Sequence, residues 1–248
     1  MKIPGLPNKD RIIALCFVSV LLVVIYGPLA QWFVAADRFL YDQVAGAAPN
    51  KPLDNAYIVS IDPQRAAAPE LLKQYGDVVR KLKATGAGRI ILPHPPELES
   101  TDSLPAWTNA IGSGAPVFVP SGHPLAKLSG HGGVVLMDPD ADGVLRSSSL
   151  WHLNGEMKSP SLPLAVVLSA ADSEAARTVA NSSDTIFLSN YAEVPRFSVA
   201  DVLRGAADAS LQGATVFVDS DPALVGAEAL LPSGQFVTYS ELKAAVMG

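Results

Sequence analysis

Cysteine is almost absent. Cys16 is the only one in 248 residues, so no internal disulfide can staple the fold. Because it lies inside an apolar run, everything beyond that run is cysteine-free, which suits an oxidising compartment. A basic surplus is missing too: beyond residue 35, 15 Lys/Arg stand against 23 Asp/Glu, a net charge of −8. Nucleic acid and anionic lipid headgroups both reward basic patches, so neither is expected as a partner. No Gly-x-Ser-x-Gly elbow and no phosphate-binding Gly-x-x-x-x-Gly-Lys loop occur, and Gly86-Ala87-Gly88 lacks the third glycine of a dinucleotide fingerprint. His94, His123, His131 and His152 fit no common zinc spacing. The residues therefore argue against an enzyme and call for no cofactor.

One long apolar run is present. Residues 12–36 carry no charge and a single amide, Gln31. A membrane-spanning helix needs about 20 mostly apolar residues to cross roughly 30 Å of hydrocarbon, so the run suffices. Lys2, Lys9 and Arg11 precede it against Asp10 alone, and Asp37, Arg38 and Asp42 follow it. That bias predicts a cytoplasmic N-terminus over 1–11, a single-pass inner-membrane anchor over 12–36 and an extracytoplasmic, periplasmic main domain. A cleaved signal peptide is the alternative, ending at Val34-Ala35-Ala36. The continuation of the run past Pro28 into Phe39 and Leu40 favours an uncleaved anchor. Pro28 is expected to kink the helix or mark its membrane boundary.

Residues 37–55 read as a juxtamembrane helix (37–44) and an Ala/Gly/Pro/Asn-rich linker, leaving 56–248 as one domain. Apolar strands are expected at 57–61, 89–92, 116–119, 185–188 and 215–218, with helices at 70–85, 104–111, 162–180, 199–204 and 239–247. Residues 133–137 and 144–153 read as an antiparallel hairpin around an acidic turn. The fold class is α/β: a mixed, mostly parallel sheet with helices on both faces and an inserted hairpin, preceded by a transmembrane helix.

Within that turn, Asp138, Asp140 and Asp142 with Gly143 match positions 1, 3, 5 and 6 of a calcium-binding loop. Position 12, where such a loop needs glutamate, is Ser149. The loop is therefore read as an acidic turn with no metal, and calcium as its weaker alternative. Asp62 and Asp219 each end an expected strand, where open α/β sheets form ligand crevices, and His94 ends another between two prolines. These three are the candidate ligand-binding residues.

Taken in order, the pieces resemble the CHASE2 family of extracytoplasmic sensor domains of bacterial receptors. The anchor runs into Asp37-Arg-Phe-Leu-Tyr-Asp42, and Ile58-Val-Ser-Ile-Asp62, the 75–92 helix and strand, Asp140-Ala-Asp-Gly-Val-Leu-Arg146, Ser159-Pro-Ser-Leu-Pro-Leu-Ala165, 197–205 and 211–218 follow. The departures are Pro63 after Asp62, Pro93-His94 where the second strand usually ends in aspartate, and Asp219 in place of a glycine. The resemblance implies a sensor that binds a small-molecule or protein ligand. It also implies a signal-transmission helix bearing Asp37, Tyr41 and Asp42, and a homodimer. Any cyclase, kinase or cyclic-di-GMP output would then lie beyond residue 248. An anchored envelope scaffold without a small ligand is the other reading.

Overall fold

The computed structural model describes residues 8–47, 54–62, 68–98, 104–135, 137–169, 174, 178, 184–188, 194–220, 228–232 and 236–241. The apolar run does not form one helix. It is divided into α1 (Asn8–Tyr26) and α2 (Pro28–Ala47), with Gly27 between them. Proline has no N–H to continue the ladder and its ring crowds the preceding turn, but it fits the first turn of a new helix. The 12–36 run is thus divided between two helices at Pro28, where a kink or boundary is expected, and residues 37–44 lie in the second half of α2. Among the described residues, no helix is long and apolar enough to cross a membrane.

Six strands form the main sheet: β1 (Ala56–Ile61), β2 (Arg89–Ile91), β3 (Val117–Pro120), β4 (Gly132–Gly133), β9 (Arg196–Ser198) and β10 (Thr215–Ser220). Their order is β4-β3-β2-β10-β1-β9, and every pairing is parallel. Strand periodicity sends alternate residues to opposite faces. Val59, Ile61, Val216 and Val218 join one cluster, with Tyr75, Val78, Val79 and Leu82 of α3 (Ala68–Thr85) and Trp107 of α4 (Leu104–Ile111). Ile58 and Phe217 point the other way, onto Leu162 and Val166 of α6 (Leu162–Leu168). Helices therefore cover both faces, as expected. Each fully buried aliphatic side chain stabilises the fold by roughly 2 kcal/mol, which makes this two-sided core the dominant favourable term. At the sheet edge a Cβ on Gly133 would lie 2.4 Å from Leu162 Cα, so only glycine lets α6 start against β4. A short helix missed in the sequence, α5 (Leu125–Ser129), lies between β3 and β4.

The expected hairpin of 133–137 with 144–153 does not form. Gly132–Gly133 instead extends the main sheet as β4. Residues 144–153 split at buried Leu150 into β5 (Ser147–Ser149) and β6 (Trp151–Asn154). β5 pairs antiparallel with β8 (Thr185–Phe187), and β6 with β7 (Met157–Pro160). The reason is local turn chemistry. Asn154 pairs with Met157, so the loop is the two residues Gly155-Glu156, and Gly155 takes the φ of +63° that the first position of such a tight turn needs. Two further strands, β11 (Glu228–Leu230) and β12 (Phe236–Thr238), form an unforeseen antiparallel ribbon. Helix α7 (Val199–Arg204) begins as expected, with Ser198 Oγ accepting from the Asp201 N–H, and Gly205 ends it at φ +82°. A one-turn helix, α8 (Asp208–Leu211), follows. Of the expected helix 162–180, α6 is seen and most of the remainder lies outside the described residues. The terminal helix starts at Tyr239, and 242–247 lie outside them.

Candidate functional site

Because all six strands run the same way, their carboxyl ends share one edge. β10 sits between β1 and β2, so this edge gathers Asp219 on β10, Asp62 just past β1 and His94 three residues past β2. His94 and Asp219 are in contact: Nδ1 of the imidazole lies 3.0 Å from Asp219 Oδ1. Asp219 is deeply set, with its side chain 8% exposed, whereas the His94 side chain is 47% exposed. A carboxylate only accepts, so in the neutral imidazole Nδ1 is the donor to it and Nε2 the acceptor of a half-open ring.

Two residues at the end of the described chain complete the group. Ser240 Oγ donates to the other oxygen of Asp219, and the Tyr239 ring meets His94 edge-on with centroids 5.4 Å apart. Burial, then the nearby Asp219 carboxylate, push the Tyr239 hydroxyl far above its ordinary pKa. From α3, the Tyr75 hydroxyl donates to the His94 carbonyl at 3.3 Å, fixing the backbone that presents the imidazole. Asp62 stands half-buried at the end of the neighbouring strand. The three sequence candidates thus share one edge, and two of them touch. Ser240 and Tyr239 escaped sequence reasoning because no local motif marks residues 21 and 20 positions from Asp219.

A second polar centre joins α2 to the body. Arg146 is buried, with its side chain 10% exposed, and its guanidinium forks onto Asp42 of α2 at 2.8 and 2.7 Å. The same guanidinium donates to Asp140 at 2.8 Å and Asp142 at 3.0 Å. The Tyr41 hydroxyl, also on α2, reaches the carbonyls of Leu188 at 2.5 Å and Arg146 at 3.0 Å. Burial raises the pKa of Tyr41. Hydrogen bonds to Asp42 and Asp142 raise that of Arg146, which stays charged. Arg38 lies 4.0 Å from both loop carboxylates, and Asp37 lines a groove of about 470 Å³ between α2 and the loop. Of the three residues expected on a transmission helix, Tyr41 and Asp42 grip the body and Asp37 flanks the groove.

Two of the three carboxylates of the calcium-loop pattern, Asp140 and Asp142, have the Arg146 guanidinium as their partner. Asp138 is exposed to solvent, and among the described residues no three His, Cys, Asp or Glu side chains are grouped to hold a metal. The loop is a turn closed by its own arginine. Asp142 Oδ1 accepts from the Val144 N–H at 3.2 Å, and Gly143 sits at φ +81°.

The hydrogen bond from Arg146 holds the Asp142 carboxyl down to about 2, against an ordinary 3.8. A depressed carboxylate pKa adds stability that is complete above the unfolded value and lost as pH falls through the folded one. Asp142→Asn should therefore differ from wild type in urea midpoint by a constant amount at neutral pH. The difference should vanish as pH falls from about 4 to about 2. A difference still present at the acid end would mean that Asp142 acts through packing.

The family model of the CHASE2 domain matches residues 15–240, nearly the whole chain. The chain belongs to the CHASE2 domain family. CHASE2 domains are extracytoplasmic sensor domains, and the family's role is sensing and not catalysis. No curated protein and no solved structure matches the chain. In this CHASE2 domain the acidic turn and its arginine, Asp140 to Arg146, fasten α2 to the α/β body together with the Tyr41 hydroxyl.

Proposed function

We propose that this CHASE2 domain is a membrane-anchored receptor input. It recognises a small molecule at the strand-end edge formed by Asp62, His94 and Asp219 and passes the event to α2. The observation that carries the reading is the His94–Asp219 pair, which presents a fixed, half-exposed imidazole on a buried carboxylate at the place where parallel sheets bind ligands. The group offered is an acceptor, Nε2 of the neutral His94 ring, with Asp62 at the end of the neighbouring strand. It suits a ligand that brings hydrogen-bond donors, such as an amine or a polyol.

The anchor in this reading is the kinked pair α1–α2. Ile12, Ile13, Phe17 and Val20 of α1 and Trp32 and Phe33 of α2 are all more than 60% exposed. A helix apolar on all sides is stable only when something apolar surrounds it, and the bilayer is the surround proposed. A bound ligand shifts the equilibrium of α2 by its differential affinity for the two arrangements of that helix. The scaffold reading keeps one observation in its favour: Leu153 and Met157 project at the β6–β7 hairpin, 68% and 72% exposed, as a partner contact would require.

The single native cysteine gives a direct test of topology. Cys16 sits in α1, and Gln212, an exposed residue after α8, can be changed to cysteine in a Cys16→Ala background. An inner-membrane-impermeant maleimide added to intact cells should label the Gln212→Cys chain and leave the wild-type Cys16 unmodified. Labelling of Gln212→Cys only after permeabilisation would place the domain on the cytoplasmic side and end this reading.

A further inference from the structure

We infer that the strand-end site and α2 are coupled through the β11–β12 ribbon, so that the hold on His94 and the hold on the membrane-side helix change together. This deepens the sensor reading for what occupies the site, although the coupling itself concerns only groups of this chain.

The two polar centres are joined by a continuous run of close contacts. At the strand end His94 holds Asp219, and Asp219 holds Ser240, whose side chain is wholly buried. Ser240 and Tyr239 directly follow β12. β12 pairs with β11 in register Leu230↔Phe236 and Glu228↔Thr238. From β11 the Leu230 carbonyl accepts the Leu145 N–H at 2.7 Å, and Val144 bridges to the same residue. The next residue is Arg146, which forks onto Asp42 of α2. Apolar packing follows the same route: Leu145, Leu188, Leu231 and Val237 form one small buried cluster apart from the main core. Leu188 is also the residue whose carbonyl takes the Tyr41 hydroxyl of α2.

The ribbon is therefore pinned at one end by the Ser240–Asp219 side-chain contact and at the other by the backbone hydrogen bond from Leu145 to Leu230, and is held between them by one short ladder and a four-residue core. Such an element can tilt as a unit without disturbing the two-sided core of the main sheet. A ligand that engages His94 and alters its bond to Asp219 changes what anchors Ser240, and with it the seat of β12. The tilt reaches Leu145 and Arg146 through the Leu230 carbonyl and changes the grip on Asp42 and Tyr41. Coupling between two sites is reciprocal, so loosening α2 must loosen the strand-end contacts by the same free energy.

Amide hydrogen exchange on the full chain in lipid nanodiscs tests this without any ligand. Asp219→Asn should speed exchange of the α2 amides 38–45 at least threefold. Asp42→Asn should speed amides 236–241 by a similar factor, with the amides of β1 and β10 unchanged in both. The coupling is overturned if each variant loosens only its own end. If the β1 amides also accelerate, the comparison moves to Ser240→Ala and Tyr41→Phe, which each remove one hydroxyl, and the same criterion decides. A solute screen that finds no ligand would sink the sensor reading and leave this result standing. A ligand found alongside uncoupled ends would do the reverse.

Discussion

Replacing Arg146 with methionine is expected to destabilise the protein by about 3 kcal/mol and to free α2 from the body. Methionine keeps the unbranched stem but removes the cation that three carboxylates share. Asp42, with its side chain 25% exposed, loses both of its charge-assisted hydrogen bonds. Breaking a buried pair by removing one partner costs about 3–5 kcal/mol, because the remaining charge stays desolvated. The lower end applies here, since Asp140 and Asp142 are 37% and 40% exposed and water replaces part of what they lose. At roughly 2–4 °C per kcal/mol for a chain of this size, the melting temperature should fall by about 6–12 °C. Arg146→Lys should recover only part of this, because an ammonium cannot fork onto Asp42. A melting temperature within a degree of wild type would reduce the contact to an ordinary surface pair worth little, and α2 would need another tether.

The second large effect is expected at Asp219→Ala. The carboxylate is buried and satisfies two groups at once, the His94 imidazole and the Ser240 hydroxyl. Ser240 is 0% exposed, so its hydroxyl would be left without an acceptor and without water. An unmade buried hydrogen bond costs about 1–3 kcal/mol, and the loss of two contacts puts this variant near the top of that range. His94 would lose the partner that fixes its ring, so any solute affinity of the site should fall at least tenfold even at temperatures where the variant is folded. Asp219→Asn keeps the volume and one acceptor, and should recover most of the stability with little of the affinity. Equal recovery of both would mean that Asp219 serves the fold alone.

The sequence was most legible where a segment's own pattern decides its state. Tyr75, Val78, Val79 and Leu82 repeat at helical spacing and form the buried stripe of α3. The runs at 57–61 and 215–218 have residues that face both layers, and they became β1 and β10, which pair along their whole length. Ser198 and Gly205 bounded α7 as cap chemistry requires. Where pairing depends on distant partners the pattern was silent. Ser147–Ser149 has no apolar alternation, yet it is a strand because Thr185–Phe187 arrives beside it. Gly132–Gly133 has no strand propensity, and the missing side chain of Gly133 is what lets α6 start against it beside β3. The hairpin forms at Gly155-Glu156 and not at the acidic turn, because the Asp140–Gly143 turn is closed onto Arg146 while Gly155 supplies the positive φ that a two-residue loop needs.

The site divides in the same way. Asp62, His94 and Asp219 were legible because strand ends in a parallel sheet share one edge. Ser240 was not, since nothing near it in sequence points to Asp219. Arg146 was in plain view inside the Asp140–Arg146 motif. Its partner Asp42 lies 104 residues away on another element, and only the fold joins them.

If this domain is a small-molecule sensor, its strand-end edge recognises a solute. The measurement is a thermal-shift series on the full chain in nanodiscs against small polar amines, polyols and amino acids, run in parallel with His94→Ala. A solute that binds the native state raises the melting temperature in proportion to RT ln(1 + [L]/Kd). At least one such rise is expected in the wild type, with its loss in His94→Ala. A series with no rise, or rises that survive unchanged in His94→Ala, would contradict the sensor reading.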